Sequence, residues 1–126
     1  MLKSIHTEHA PKAVGPYSQA IQAGPFVYTS GQLPTDPSTG EFVSEEAPEQ
    51  ARQCLKNVEA ILKEAGLGME QVVKCLVFLQ DMNDFKAVNE VYAEAFGDHK
   101  PARSAFQVAK LPMNAKVEIE AIAYRE

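Results

Sequence analysis

The side chains best suited to chemistry are Arg103 and Glu118, each set in a short apolar stretch. A planar guanidinium gives two parallel charge-assisted hydrogen bonds, so it holds a carboxylate in one plane where a lysine gives only a point contact. A glutamate held by neighbours guides water and moves protons. Glu118 and Glu120 lie two residues apart in Val117-Glu118-Ile119-Glu120-Ala121-Ile122-Ala123-Tyr124. A strand there puts both on one face, where mutual repulsion raises the proton affinity of each. Each candidate also has a plainer reading. Arg103 suits a surface ion pair, and either glutamate suits a solvated edge-strand carboxylate.

Other chemistries find little support. The net charge of -5 and 12 scattered Lys and Arg disfavour nucleic acid, whose phosphates need clustered cations. His6 and His9 have a spacing that ligates metal on a helix, but their segment is not helical in pattern and no third ligand is evident. No glycine-rich phosphate loop is present. The only cysteines, Cys54 and Cys75, lack CxxC spacing and fall inside patterned segments, as small buried hydrophobes do. No apolar run follows the charges of residues 1–15, and eighteen consecutive apolar residues occur nowhere, so the expected location is the cytoplasm, away from membranes.

The elements that must position these residues follow from periodicity. With 126 residues, one domain spanning 1–126 is expected. Residues 1–18, with Pro11, Gly15 and Pro16, read as an extended arm with a turn. Residues 20–23 and 26–30 read as a hairpin about Gly24-Pro25, and Pro34 to Gly40 as a turn cluster. From Pro48, the stripe Ala51, Leu55, Val58, Leu62 and Ala65 predicts an amphipathic helix ended by Gly66. Val72 to Leu79 is nearly all apolar, the pattern of a central strand buried on both faces. Capping groups at Asp81 to Asp84 precede a second stripe of Phe85, Val88, Tyr92 and Phe96, ended by Gly97. Residues 103–108 and 117–124 complete the strands, with Phe106 read as a core residue. The order predicts an α+β fold, a mixed sheet with two helices on one face. The other face, with Ile122 and Tyr124 beside the glutamates, needs a cover, which a second copy of the chain would supply.

Six segments taken in order resemble the Rid family, also called the YjgF type. They are Gly15-Pro16-Tyr17-Ser18-Gln19-Ala20, Ser30-Gly31-Gln32, Asn83-Asp84-Phe85, Asn89-Glu90-Val91-Tyr92, Pro101-Ala102-Arg103-Ser104 and Val117 to Ala123. Arg103 marks the resemblance as one to the RidA (reactive intermediate deaminase A) subgroup. The resemblance implies a chorismate-mutase-like fold, a homotrimer and active sites in clefts between subunits. It implies hydrolysis of 2-aminoacrylate-type enamines and their imines, 2-iminobutanoate and 2-iminopropanoate, to 2-keto acids and ammonia. Within it Arg103 is the carboxylate anchor, Glu118 rather than Glu120 matches the catalytic position, and Asn89 matches a residue near the pocket. Tyr17 is then placed to wall the pocket, and Ser30 with the Gly31 backbone to bind the imine nitrogen or water, glycine permitting close approach. No cofactor is expected, since side chains, backbone and water fill every role. Ala105 stands where many relatives have cysteine, so a thiol nucleophile is excluded there.

Rival readings use the same residues differently. A non-catalytic module that binds small carboxylates would need Arg103 but not Glu118. An RNA-directed translation inhibitor or endoribonuclease, an activity ascribed to some relatives, runs against the net charge. A chorismate mutase would need several cations around a dicarboxylate, and the arginines are only Arg52, Arg103 and Arg125.

Overall fold

Six strands and two helices form from these patterns. The computed structural model, which describes residues 1–126, contains β1 (Leu2–Ile5), β2 (Ala20–Ala23), β3 (Phe26–Thr29), α1 (Ala47–Glu64), β4 (Val72–Leu79), α2 (Phe85–Phe96), β5 (Ala102–Gln107) and β6 (Val117–Tyr124). One sheet runs in the order β1-β2-β3-β6-β4-β5, with β4 and β5 parallel and all other neighbours antiparallel. Both helices cover one face, as the pattern predicts for an α+β domain.

The helices end where the glycines stand. Gly66 takes φ +78°, its N–H donates to the Lys63 carbonyl, and the Leu67 N–H donates to that of Leu62. These two bonds close a Schellman turn and satisfy carbonyls that α1 leaves open. At the start of α2, Asp81 accepts from the Asn83 N–H and caps a short 3-10 turn (Met82–Asp84), while Asp84 adds no side-chain cap.

The core lies between the helices and the near face of the sheet. Ala51, Leu55, Val58, Ile61 and Leu62 of α1 pack with Val88, Val91, Tyr92 and Phe96 of α2 over Val72, Cys75, Val77 and Leu79 of β4. From β6 come Val117, Ile119, Ala121 and Ala123. Three buried amides then tie irregular chain to this frame. Gln19 accepts from the Thr7 N–H and donates to the Thr7 and Pro11 carbonyls. Asn57 donates to the Leu33 and Thr35 carbonyls. Gln50 donates to the Ser44 carbonyl and accepts from the Lys116 N–H. Cys54 and Cys75 are both buried free thiols, as their pattern implied.

Three expectations need correction. Residues 2–5 of the N-terminal arm pair with β2 along its whole length as an edge strand, which their mixed polarity did not signal because most of the strand stays exposed. β4 is central but buried on one face only, since Lys74, Leu76 and Phe78 remain half-buried on the face no helix covers. Phe106, expected in the core, is 44% exposed on that same face, edge-on to Phe78 with ring centroids 5.4 Å apart. Tyr28 and Tyr124 are exposed there too, so the uncovered face is an aromatic and aliphatic surface.

Alanine at position 66 keeps the side chain in a left-handed conformation that L-residues resist. Gly66→Ala is therefore expected to destabilise the fold by about 1–2 kcal/mol, measured by chemical denaturation, without altering the core.

Candidate active site

Strand alternation places Glu118. Val117 and Ile119 enter the core, so Glu118 between them points to the open face, with Glu120 beside it in the same row. The loop after β3 then comes to Glu118. Gln32 and Ile119 exchange both backbone hydrogen bonds, at 2.8 and 3.1 Å, and this bridge sets Gly31 under the Glu118 carboxylate. A β-carbon on Gly31 would stand 2.1 Å from Glu118 Oε2. Only glycine leaves that carboxylate its place. The Gly31 φ is not positive, so the requirement is for space rather than backbone freedom.

Around Gly31 the other candidates assemble. The Ser30 hydroxyl donates to the Ser18 carbonyl at 2.6 Å, which spends its proton and leaves its lone pairs as acceptors. That bond also holds the loop carrying Tyr17, whose exposed ring lines a cleft of about 320 Å³ together with Gly31, Gln32 and Leu33. Glu118 has no ion-pair partner, because the chain's only ion pairs join Arg52 to Glu49 and Glu94. Burial raises the Glu118 carboxyl above the ordinary glutamate range, and repulsion from Glu120 adds to the rise. Glu120 is raised as well, by burial. Repulsion was the cause legible in sequence; loss of solvent is the larger one.

Arg103 sits in different company. Its register partner on β4 is Cys75, a core residue, so its side chain lies on the helical face. There its Nη1 donates to Asn89 Oδ1 of α2 at 2.6 Å. Its guanidinium carbon lies 5.3 Å from the Phe85 ring centroid and 4.8 Å from that of Tyr92. No carboxylate pairs with it. The surface ion pair considered for this arginine is thus absent, and the Asn89 side chain holds Arg103 instead. Ala105, two residues on, packs against the core on the same face.

The sequence-predicted residues therefore fall into two groups. Tyr17, Ser30, Gly31 and Glu118 gather around the loop after β3, and Arg103 with Asn89 gather at the edge strand β5. Glu118 and Arg103 point to opposite faces of one sheet, and one chain does not bring them together. Phe85 and Tyr92 were read only as core stripe. Their spacing with Asn89, at i, i+4 and i+7, was the signal that one face of α2 serves Arg103. Gln32, whose backbone sets Gly31 in place, entered the sequence reading only as part of the Ser30-Gly31-Gln32 segment, with no role of its own.

Comparison with known proteins bears on this arrangement. The family model described as Endoribonuclease L-PSP matches residues 7–125. The chain belongs to the YjgF/Rid family. It is 52% identical to the 2-iminobutanoate/2-iminopropanoate deaminase of Salmonella typhimurium, over 99% of each chain. It is 55% identical to a RutC family protein of Pyrococcus horikoshii over the full length of both. Among solved structures, the YjgF gene product of E. coli is 49% identical, with a TM-score of 0.95 over 98% of this chain and 99% of that one. E. coli TdcF, solved with bound serine, is 48% identical with a TM-score of 0.94 over the same shares.

For this Rid-family chain the close approach at Gly31 gives a direct test. Gly31→Ala is expected to fold with little loss of stability, because the colliding atom is the free end of a side chain, while the carboxylate is displaced toward solvent. Its titration, followed by carbon-13 NMR of the Glu118 carboxyl, should then fall back toward the ordinary glutamate range. An unchanged titration would mean that Gly31 does not set the carboxylate's environment.

Proposed function

We propose that this Rid-family protein hydrolyses 2-imino acids and their enamine tautomers to 2-keto acids and ammonia. The observation that carries this reading is the company of Arg103. Its guanidinium is oriented by an amide and two aromatic rings, all neutral, so its charge is left for a carboxylate from outside the chain. Deaminases named for such substrates, at about half identity over the full chain, support the same reading.

The chemistry divides between the two groups. Arg103 holds the substrate carboxylate, which fixes the neighbouring C=N carbon in space. Glu118 takes a proton from water as the water oxygen bonds to that carbon, and a tetrahedral carbinolamine results. Glu118 returns that proton to nitrogen and then takes the carbinol O–H proton as the C–N bond breaks, giving ketone and ammonia. The raised proton affinity of Glu118 suits a group that must both accept and return a proton. Ser30 Oγ offers an acceptor, and the Gly31 N–H donates to no group of the chain. Tyr17 walls the cleft. Every step uses side chains, backbone and water, so no cofactor or metal is invoked.

Because the groups face opposite sides of the sheet, the reading requires more than one copy of the chain. We place Arg103 and Asn89 of one subunit against Glu118, Gly31, Ser30 and Tyr17 of a neighbour, in a cytoplasmic homotrimer of the chorismate-mutase-like type. The uncovered face, with Leu76, Phe78, Phe106, Ile122 and Tyr124, supplies the apolar surface such an assembly buries.

Arg103→Ala and Glu118→Gln are expected to fail differently. The first removes a charge-assisted contact of about 1.5–3 kcal/mol and frees the imine carbon to drift, so pyruvate binding and 2-iminopropanoate turnover both fall. The second keeps pyruvate binding but lowers kcat by about 10²-fold or more. Ala105→Cys should leave the rate near wild type, because no step uses a thiol. Wild-type turnover in Glu118→Gln would remove Glu118 as the proton carrier, whereas pyruvate binding without any imine turnover in the wild type would leave the carboxylate-binding module as the better reading.

Mixing the two inactive variants tests the shared site. Light scattering should give a trimeric mass for each, and subunit exchange between them should restore part of the turnover, since some sites then pair an intact Arg103 with an intact Glu118. No recovery in trimers shown by mass to be mixed would place both residues within one subunit's site.

A further inference from the structure

An arginine on an edge strand has wide rotamer freedom, and a donor fork is useful only when its plane is fixed. One hydrogen bond from Nη1 to Asn89 fixes a point, not a plane. Two aromatic rings on the same helix supply the rest. Phe85, Asn89 and Tyr92 form one stripe of α2 facing β5, and both ring centroids lie within the distance at which a ring face attracts a cation. We infer that Phe85 and Tyr92 are positioning residues for Arg103, a platform that fixes the guanidinium plane and thereby the affinity for the substrate carboxylate. This inference rests on the proposed role of Arg103.

The packing of Tyr92 shows that its ring, rather than its hydroxyl, is the useful part. Only 7% of the residue is exposed, and its ring lies 4.8 Å from that of Phe96, which backs it. The hydroxyl is buried toward the Cys75 thiol without closing a regular hydrogen bond. A buried phenol left unpaired disfavours tyrosine over phenylalanine at this place, so the hydroxyl does not account for the ring's position. Phe85 is only half-buried, and an aromatic ring left partly in water is explained by the cation beside it. A carboxylate in place of either ring would also orient Arg103, but it would neutralise the charge that the substrate needs.

The experiment compares variants on both sides of the contact. Tyr92→Leu and Phe85→Leu should raise the pyruvate Kd and the 2-iminopropanoate KM by roughly 2- to 30-fold, with kcat changed less. Tyr92→Phe should behave as wild type. In an Arg103→Ala background, Tyr92→Leu should produce no further loss of binding. An equal loss in that background, or a Tyr92→Phe variant as weak as Tyr92→Leu, would overturn the inference. Should Tyr92→Leu fail to fold, Phe85→Leu, at the less buried position, carries the same comparison. A readout independent of activity separates this inference from the functional one. The Arg103 Nε–Hε order parameter, measured by NMR without ligand, should drop in either leucine variant. If wild type neither binds pyruvate nor turns over imine, the functional reading fails while this measurement still decides the platform. An unchanged order parameter with intact wild-type turnover would sink the platform alone.

Discussion

The two-residue period of β6 constrains everything else in this protein. Val117, Ile119, Ala121 and Ala123 are buried beneath the helices, and burial of a valine or isoleucine contributes about 1.5–3 kcal/mol each. A slip of one residue would expose that row and drive Glu118 and Glu120 into an apolar core without partners. The core thus fixes the register, and the register leaves the glutamates no place but the open face. Their high proton affinity follows from packing that has its own reason to exist.

The same alternation divides the chemistry. Along β5, Arg103 and Ala105 face the helices, while Glu118 of β6 faces away from them, so the proposed carboxylate anchor and the proposed proton carrier stand on opposite sides of one layer. A layer of backbone cannot be bridged by side chains. In the proposed assembly a second copy of the chain would resolve this, packed on the face that already carries Phe78, Phe106, Ile122 and Tyr124. Stability and activity would then draw on the same contact, since burying that face is also what completes the proposed site.

Loops do as much positioning as strands. The Gln32 to Ile119 bridge brings Gly31 beneath Glu118, and the Asn57 amide, donating to the Leu33 and Thr35 carbonyls, holds the chain just beyond it. Gln19, pinned on three sides, orients the segment from which Tyr17 projects. Each of these amides is buried with its hydrogen bonds made, so each loop has a defined conformation without regular structure.

Local rules reached far into this molecule. The stripes at intervals of three and four fixed both helices, Gly66 and Gly97 fixed their ends, and the alternation of β6 fixed which face its glutamates share, because each depends on neighbours a few residues away. The pairing of residues 2–5 with β2, the exposure of Phe106 and the open second face of β4 were not legible, since polarity along a strand does not say whether anything covers its far side. The candidate site came from the sequence as a set of residues, through resemblance to a family, but not as an arrangement. That Glu118 rests on Gly31, that Asn89 serves Arg103, and that Arg103 and Glu118 look away from each other are contacts between segments 14 to 87 residues apart. Only the closed fold decides which side chains meet across such distances, because sheet order and the face to which each residue points are set jointly by all the strands and helices packing at once.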